Sequence, residues 1–188
     1  MLFFNYTKLI AVKKGSNSVP DRQHMKNRKM IIGVMGAGEG AKPTDVDNAF
    51  ELGKLIAAEG WILLSGGVDA GVMQAVNRGA QTNNGISVGI LPRQDSPIAD
   101  GVTIPIMTDM GSGRNNINSL TSDVVVACGM GPGVSSEISL ALQKRANKPV
   151  VLLDPDETAE KFFKSLRPEL VYAAKDAAEA IALIKKLI

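Results

Sequence analysis

The sequence is poor in the side chains that carry nucleophilic and metal-dependent chemistry. It contains one cysteine, Cys128, and one histidine, His24. A single cysteine excludes an internal disulfide and a cysteine-based zinc cluster, and it is typical of a reducing compartment. A single histidine, outside the regular part of the sequence, argues against a Ser-His-Asp triad and a His-rich metal site. We therefore expect no metal ligands, and Cys128 is interpreted as a small core residue at the end of a strand.

Aromatic residues and a broad basic surface are also lacking. Aromatics make up 4% of the chain, which argues against a stacking platform for single-stranded nucleic acid. Residues 1–29 contain seven Lys or Arg and one Asp, a balance of +6. Because the whole chain has a net charge of +2, residues 30–188 carry 2 − 6 = −4. We therefore expect no nucleic-acid partner.

Residues 1–29 are predicted to form a basic, flexible leader without helical or strand periodicity. The apolar run of residues 1–4 is too short for a signal peptide or a membrane span, and no later run is long enough. The prediction is a cytoplasmic protein without membrane contact. Two interpretations of the leader stay open, an organelle transit sequence and an extension upstream of a start at Met25 or Met30.

The rest of the chain alternates between short apolar runs and amphipathic segments, a pattern typical of parallel strands joined by helices. It predicts one α/β domain over residues 30–188, a Rossmann-like doubly wound, mainly parallel sheet with helices on both faces. Pro105 interrupts its strand, which predicts that this strand lies near an edge or is irregular. The predicted strands are 30–36, 61–64, 86–91, 102–107, 124–127, 149–153 and 171–173. The first predicted helix is capped by Thr44 and ended by Gly60. The other predicted helices are 71–82, 114–120, 134–146, 158–166 and 177–188.

Three glycine-rich turns follow apolar runs, in residues 33–38, 65–73 and 128–137. In such a sheet, ligands bind beyond the carboxyl ends of the strands, where all three turns fall. Glycines permit close backbone approach, and a following helix start offers free N–H groups to an anion. None of the turns matches the dinucleotide fingerprint or a phosphate-binding P-loop. Together they predict a cradle for a small anionic, phosphorylated ligand.

Two charged side chains stand out beside these turns. Arg114 begins a helix, where a cation opposes the helix dipole, so we favour a phosphate or ring clamp over a solvent-facing role. Glu137 is interpreted as a ligand contact or general acid/base, or as an ordinary stabiliser of its helix start. Met35, Met73 and Met130 would line a slot for a flat ring or fill the core. The predicted ligand-binding residues are Gly36, Ala37, Gly38, Ser65, Gly66, Gly67, Gly71, Val72, Met73, Arg114, Asn115, Gly129, Gly131, Pro132, Gly133, Val134, Ser135, Ser136 and Glu137.

The order of these motifs carries a family resemblance that covers nearly all of residues 30–188. The segments are GGVDAGVM at 66–73, GILP at 89–92, GRNN at 113–116, GMGPGVSSE at 129–137 and KPVVLL at 148–153. Together they resemble the molybdenum cofactor carrier protein family, within a Rossmann-like group once misnamed lysine decarboxylases. The resemblance implies a homotetramer that binds and protects molybdenum cofactor (molybdopterin) as cargo without converting it, with molybdoenzymes as recipients.

The same wider group includes the cytokinin-activating phosphoribohydrolases, which cleave nucleoside 5'-monophosphates. Arg114 and Glu137 match that family's arginine and final glutamate, and would be the catalytic residues of a hydrolase. The chain departs from the hydrolase motif in its leading Pro-Gly-Gly, which is altered here. It also departs at Val134, Ser135 and Ser136, which stand where that family has glycine, threonine and a second acid. Three hypotheses follow: a non-enzymatic cofactor carrier, a phosphoribohydrolase, and a nucleotide-binding module without catalysis.

Overall fold

The computed structural model describes residues 28–188, which form one seven-stranded parallel sheet covered by helices. The strands are β1 (Ile31–Gly36), β2 (Ile62–Ser65), β3 (Ser87–Leu91), β4 (Ile104–Met107), β5 (Val124–Cys128), β6 (Val150–Leu153) and β7 (Val171–Ala174). The α-helices are α1 (Pro43–Ala58), α2 (Gly71–Thr82), α3 (Asn115–Thr121), α4 (Pro132–Leu142), α5 (Glu157–Leu166) and α6 (Ala177–Leu187), and a 3₁₀ turn covers Gly111–Arg114. The strand order β4-β3-β2-β1-β5-β6-β7 confirms the predicted fold class.

Two apolar clusters cover the two faces of the sheet. Alternate residues of β5 separate to opposite faces, so Val126 joins one cluster and Val125 the other. Helices α1, α2 and α6 pack against the first face, and α4 and α5 against the second. Every residue of β5 and β6 is buried, which is why these strands are continuous apolar runs in the sequence. The order reverses between β1 and β5, and this switch point opens a crevice at the carboxyl ends of the strands.

Several predicted boundaries shift for identifiable reasons. Thr44 does not cap α1, because Lys42 is the N-cap and Pro43, with its fixed φ, takes the first helical position. Arg114 ends the 3₁₀ turn, and the regular helix α3 begins one residue later. Helix α4 ends at Leu142 instead of residue 146, since the next residue, Gln143, has an extended ψ of 145°.

Most of the predicted leader, residues 1–27, lies outside the described residues. Arg28 is described, and its guanidinium forms an ion pair with Asp123, whose carboxylate also accepts a 2.9 Å bond from the Ile31 N–H. Strand β4 is the exposed edge strand that Pro105 predicts. Within residues 28–188, no helix combines the length and apolar character required to cross a membrane.

Helices α1 and α2 approach each other closely because each carries a glycine at their contact. A Cβ on Gly53 would lie 2.1 Å from the Val76 carbonyl oxygen, and one on Gly79 would lie 2.0 Å from the Phe50 carbonyl oxygen. Backbone atoms cannot rotate away as a side chain can, so a methyl group at either position forces the helices apart. This contact positions the beginning of α2, which borders the crevice.

We predict that Gly79→Ala lowers the free energy of unfolding by about 1–3 kcal/mol, the usual cost of overpacking a tight contact. The matched control is Gly133→Ala in α4, where an added Cβ meets no atom within 4 Å. Alanine is a better helix former than glycine, so the control retains or gains stability. The measurement is urea unfolding of both variants, and equal stabilities would contradict the prediction.

Candidate ligand-binding site

A cavity of about 250 Å³ lies at the carboxyl ends of β1, β2 and β5. All three glycine-rich turns contribute to its walls, together with the segment that follows the 3₁₀ turn. Its lining residues are Val34, Met35, Gly36, Ala37, Gly38, Gly66, Met73, Arg114, Asn115, Gly131, Pro132, Gly133, Val134 and Glu137. Segments that are far apart in the sequence therefore meet around one small concave space.

The first and second turns approach each other closely because Gly71 has no side chain. This residue has φ +48°, a conformation that favours glycine, and begins α2. A Cβ on Gly71 would lie 2.2 Å from the Gly38 carbonyl oxygen and 2.6 Å from that of Ala37. The next N–H, of Val72, donates a 3.0 Å hydrogen bond to the Ala37 carbonyl oxygen. The start of α2 therefore supports the backbone of the first turn directly.

The second turn is fixed by a buried polar network beneath the cavity. The Ser65 hydroxyl accepts bonds from the Gly67 N–H (3.1 Å) and from the Asn77 side-chain amide (2.8 Å). The Asn77 side chain also donates to the Met73 carbonyl oxygen and accepts a bond from the Ser87 hydroxyl. Ser65 thus stabilises the turn from inside, and it does not line the cavity.

The Arg114 side chain closes one wall of the cavity. Its Nη1 group donates to the carbonyl oxygens of Gly66 and Ile90, at the ends of β2 and β3. Both of these bonds use Nη1, so the structure gives Nη2 and Nε no acceptor among residues 28–188. Burial lowers the pKa of Arg114, and the charge of Glu137 opposes that shift. The guanidinium remains protonated in any case and presents a fixed positive charge to the cavity.

Glu137 is a buried acid on another wall, in the second turn of α4. Its interpretation as a stabiliser of the helix start is wrong, because α4 begins at Pro132 and its first turn contains no acid. Its carboxylate accepts a 2.7 Å bond from the Asn118 side-chain amide, and its carbonyl oxygen accepts a 2.9 Å bond from the Ser119 hydroxyl. Burial raises the pKa of Glu137 to about 7, although the Asn118 bond and the Arg114 charge act in the opposite direction. Glu137 can therefore exchange a proton near neutral pH, which an exposed glutamate does not do.

The third turn brings the beginning of α4 to the cavity. Gly129, at φ +75°, passes so close to α1 that an added Cβ would lie 2.3 Å from Oδ2 of Asp45. Pro132 occupies the first helical position, and the N–H groups of Gly133 and Val134 precede the first intrahelical bond, which Ser135 donates to the Gly131 carbonyl oxygen. The cavity therefore has helix-start donors that are suited to an anion.

The structure brings twelve of the nineteen predicted ligand-binding residues to this cavity. The seven others lie outside its lining, and the structure shows where several of them point instead. Val72 and Ser65 are buried beneath the turns, and Gly71 lines a larger groove of about 660 Å³ on the outer side of α1 and α2. Ser135 is half-buried, and its hydroxyl donates a 3.6 Å bond to the Met130 sulfur. The predicted residues outside the cavity lining are Ser65, Gly67, Gly71, Val72, Gly129, Ser135 and Ser136.

Sequence reasoning missed Asn118 altogether, and it predicts Val34 only as part of a strand. Asn118 lies one helical turn beyond Arg114 and Asn115, so helical spacing from the predicted site could have indicated it. The predicted methionine slot is partly present, because Met35 and Met73 line the cavity but Met130 does not.

Cys128 is fully buried, as predicted for a core residue. Its Sγ donates to the Asp45 carbonyl oxygen. Burial and the nearby Asp45 and Asp154 raise the pKa of this thiol to about 12. The thiol is therefore protonated at neutral pH and unsuited to nucleophilic chemistry.

Comparison with known proteins gives consistent relatives. The family model of the SLOG cluster4 family matches residues 29–181. A molybdenum cofactor binding protein from the phototrophic bacterium Rippkaea orientalis is 48% identical, with a TM-score of 0.82 over 86% of this chain and 98% of that one. The molybdenum cofactor carrier protein of Chlamydomonas reinhardtii is 52% identical, with a TM-score of 0.80 over 85% of this chain and 98% of its own.

A further relative comes from the archaeon Archaeoglobus fulgidus, a protein without an assigned function. It is 42% identical over 131 residues, which cover 70% of this chain and 84% of the relative. On the family model and on these identities, the chain belongs to the SLOG cluster4 family, together with the molybdenum cofactor carrier proteins.

Proposed function

We propose that this protein binds molybdenum cofactor in the cytoplasm and protects it without chemical conversion, until a molybdoenzyme receives it. The observation that carries the proposal is the convergence of three glycine turns and Arg114 on one cavity, in a chain 48–52% identical to molybdenum cofactor binding and carrier proteins. The cofactor is here the cargo. It is a phosphorylated pterin, which requires anion donors beside an apolar surface.

The residues around the cavity fit both parts of such a ligand. The Arg114 guanidinium and the N–H groups of Gly133 and Val134 are donors suited to a phosphate. The side chains of Met35 and Met73 supply polarizable apolar surface for a flat ring. Glu137 can accept or donate a hydrogen bond at the ring, because its protonation changes near pH 7.

We predict that Arg114→Lys weakens binding of the isolated cofactor about 10- to 100-fold. Lysine keeps the charge but loses the planar fork, and a hydrogen bond to a charged group contributes about 1.5–3 kcal/mol. The measurement is cofactor retained by the protein under anaerobic gel filtration. The matched control is Arg78→Lys, an exposed arginine of the outer groove.

Equal loss in both variants would place the binding site away from the cavity. Retention by the unchanged protein that does not exceed an unrelated protein of similar size would end the carrier proposal. The same gel filtration with nucleotides in place of the cofactor distinguishes a cofactor carrier from a general nucleotide-binding module. A nucleotide that binds also raises the midpoint temperature of unfolding, which gives a second measurement.

A phosphoribohydrolase is the second candidate function, and the protonation of Glu137 favours it. A buried acid with a pKa near 7, in the same cavity as an arginine, has the properties of a general acid in glycosidic cleavage. The motif differences at Val134, Ser135 and Ser136 count against it.

If the hydrolase candidate is correct, the protein releases free adenine from AMP and Glu137→Gln abolishes the release. The control is Glu51→Gln, which removes an exposed carboxylate of α1. Chromatographic detection of adenine provides the measurement. Absence of turnover in the unchanged protein removes this candidate and leaves the carrier proposal intact.

We also propose that the chain assembles as a homotetramer. Strand β4 supports self-association, because Ile104, Ile106 and Met107 are each more than 40% exposed on an edge strand. Exposed apolar edge strands are commonly covered by another chain.

We predict that Ile106→Lys reduces the sedimentation coefficient of the assembly. A charge at a buried contact is costly, so the variant dissociates to smaller species. Phe162→Lys is the control, since Phe162 is an exposed apolar residue on α5. A 19.9 kDa monomer for the unchanged protein would overturn the proposal.

A further inference from the structure

Asn118 lies at the site, but the proposed ligand contacts give it no role. Its side chain is 1% exposed, on α3 and behind the cavity wall. Its Nδ2 group donates to Glu137, while its Oδ1 is the one buried side-chain oxygen or nitrogen without a hydrogen-bond partner among residues 28–188. Leaving a buried acceptor unpaired costs about 1–3 kcal/mol, so such an atom calls for a functional explanation.

The two ends of an asparagine amide have opposite hydrogen-bonding character. When Glu137 is charged, it can only accept, and the Nδ2 group facing it is the correct partner. When Glu137 is protonated, its hydroxyl becomes a donor, and half a turn of the amide brings Oδ1 to face it. Asn118 can therefore pair with both protonation states of Glu137, which a purely apolar neighbour or a fixed cation cannot do.

The backbone of α3 is held in place around this pair. The Ser122 hydroxyl donates a 2.7 Å bond to the Asn118 carbonyl oxygen. The Ser119 hydroxyl lies 2.9 Å from the carbonyl oxygens of both Asn115 and Glu137, and it donates its one proton to either of them. Ser119 thereby ties α3 to α4 next to the Asn118–Glu137 pair. The pair is held at hydrogen-bond distance while the amide remains the group that can rotate.

An anion in the cavity changes the charge around Glu137. Arg114 is the charged side chain that acts on Glu137 from the 3₁₀ turn, and Asn118 and Ser119 are the neutral groups that face it from α3. Without a ligand, Arg114 favours the ionised carboxylate. A bound anion adds negative charge that offsets the field of Arg114 at Glu137, and this change favours protonated Glu137.

We propose that Asn118 is a positioning residue that holds Glu137 in both protonation states, so that the cavity takes up as much as one proton when an anion binds. In the anion-free protein above neutral pH, Asn118 donates to the Glu137 carboxylate. In the anion-bound protein Glu137 carries the proton, which comes from solvent, and donates it to Asn118 Oδ1. The inference shares with the proposed function the binding of an anion in this cavity, and it does not depend on the cofactor's identity.

The pH dependence follows from the sign of this coupling. Since binding takes up a proton, affinity is highest where Glu137 is already protonated and falls as the pH rises through its pKa. Burial places that pKa at about 7 in the anion-free protein. We therefore expect affinity to decline by up to about tenfold per pH unit above 7, with a plateau at lower pH.

The test is a carbon-13 NMR titration of the Glu137 carboxyl group in the full chain, with and without sulfate. Sulfate stays a dianion between pH 6 and 8.5, so any proton taken up in this range belongs to the protein. We expect a titration midpoint near 7 that moves upward when sulfate is bound. Glu137→Gln assigns the resonance and abolishes the proton uptake, which calorimetry in buffers of different ionisation enthalpy measures independently.

Asn118→Leu tests the positioning role with a side chain of similar shape. Loss of the Nδ2 donor removes a bond to the charged form, so the anion-free midpoint moves to higher pH and the affinity profile moves with it. A merely structural role would lower stability without moving the midpoint. Asn116→Leu, an exposed position on the same helix, is the matched control and leaves the midpoint unchanged.

Three results would overturn the inference. The first is that sulfate does not bind, and the second is that it binds without moving the titration midpoint of Glu137. The third is that Asn118→Leu has the same midpoint as the unchanged protein. The N–H resonances of Gly133 and Val134 report whether sulfate occupies the cavity. Proton uptake with sulfate but no retention of molybdenum cofactor refutes the proposed function alone, and cofactor binding without proton uptake refutes this inference alone.

Discussion

The site depends on the two hydrogen bonds that the Arg114 guanidinium donates to the ends of β2 and β3. These bonds hold a cation against neutral carbonyl oxygens, and no carboxylate makes a direct ion pair with it in the described residues. A charge fixed in this way is desolvated but not neutralised. It therefore acts on whatever enters the cavity, and through space on Glu137. Arg114 positions the cavity wall and supplies its charge with one side chain.

Glycines make this arrangement possible because they have no side chain at the points where two backbone segments come into contact. Gly71 lets the start of α2 support the first turn, and Gly129 lets the third turn pass beside α1. Gly133 differs from both, because no neighbour occupies the space where its side chain would be. Packing explains the first two glycines, whereas the ligand-binding role that we propose for the α4 start offers an explanation for the third.

Burial of the Glu137 carboxyl group on the α4 wall costs free energy, and packing alone does not explain its presence there. Burial works against ionised Glu137, and Asn118 carries an unpaired oxygen beside it. Residues that break the usual rules of polar burial tend to occur at functional sites. Arg114 and Glu137 are suited both to anion binding and to glycosidic cleavage, so a carrier and a hydrolase are both compatible with this fold. The relatives at 48–52% identity favour the carrier.

Local sequence determined the elements and their order. Apolar runs, helix periods and the position of Pro105 predicted seven strands, six helices and the exposed edge strand, because these depend on near neighbours in the chain. The glycine turns and their place at the carboxyl ends followed from the same patterns. Tertiary structure alone decided which turn residues face the cavity, as Ser65 turns inward to Asn77 and Gly71 faces the outer groove. It also decided the pairing of Asn118 with Glu137, since that contact joins two different helices and depends on how they pack.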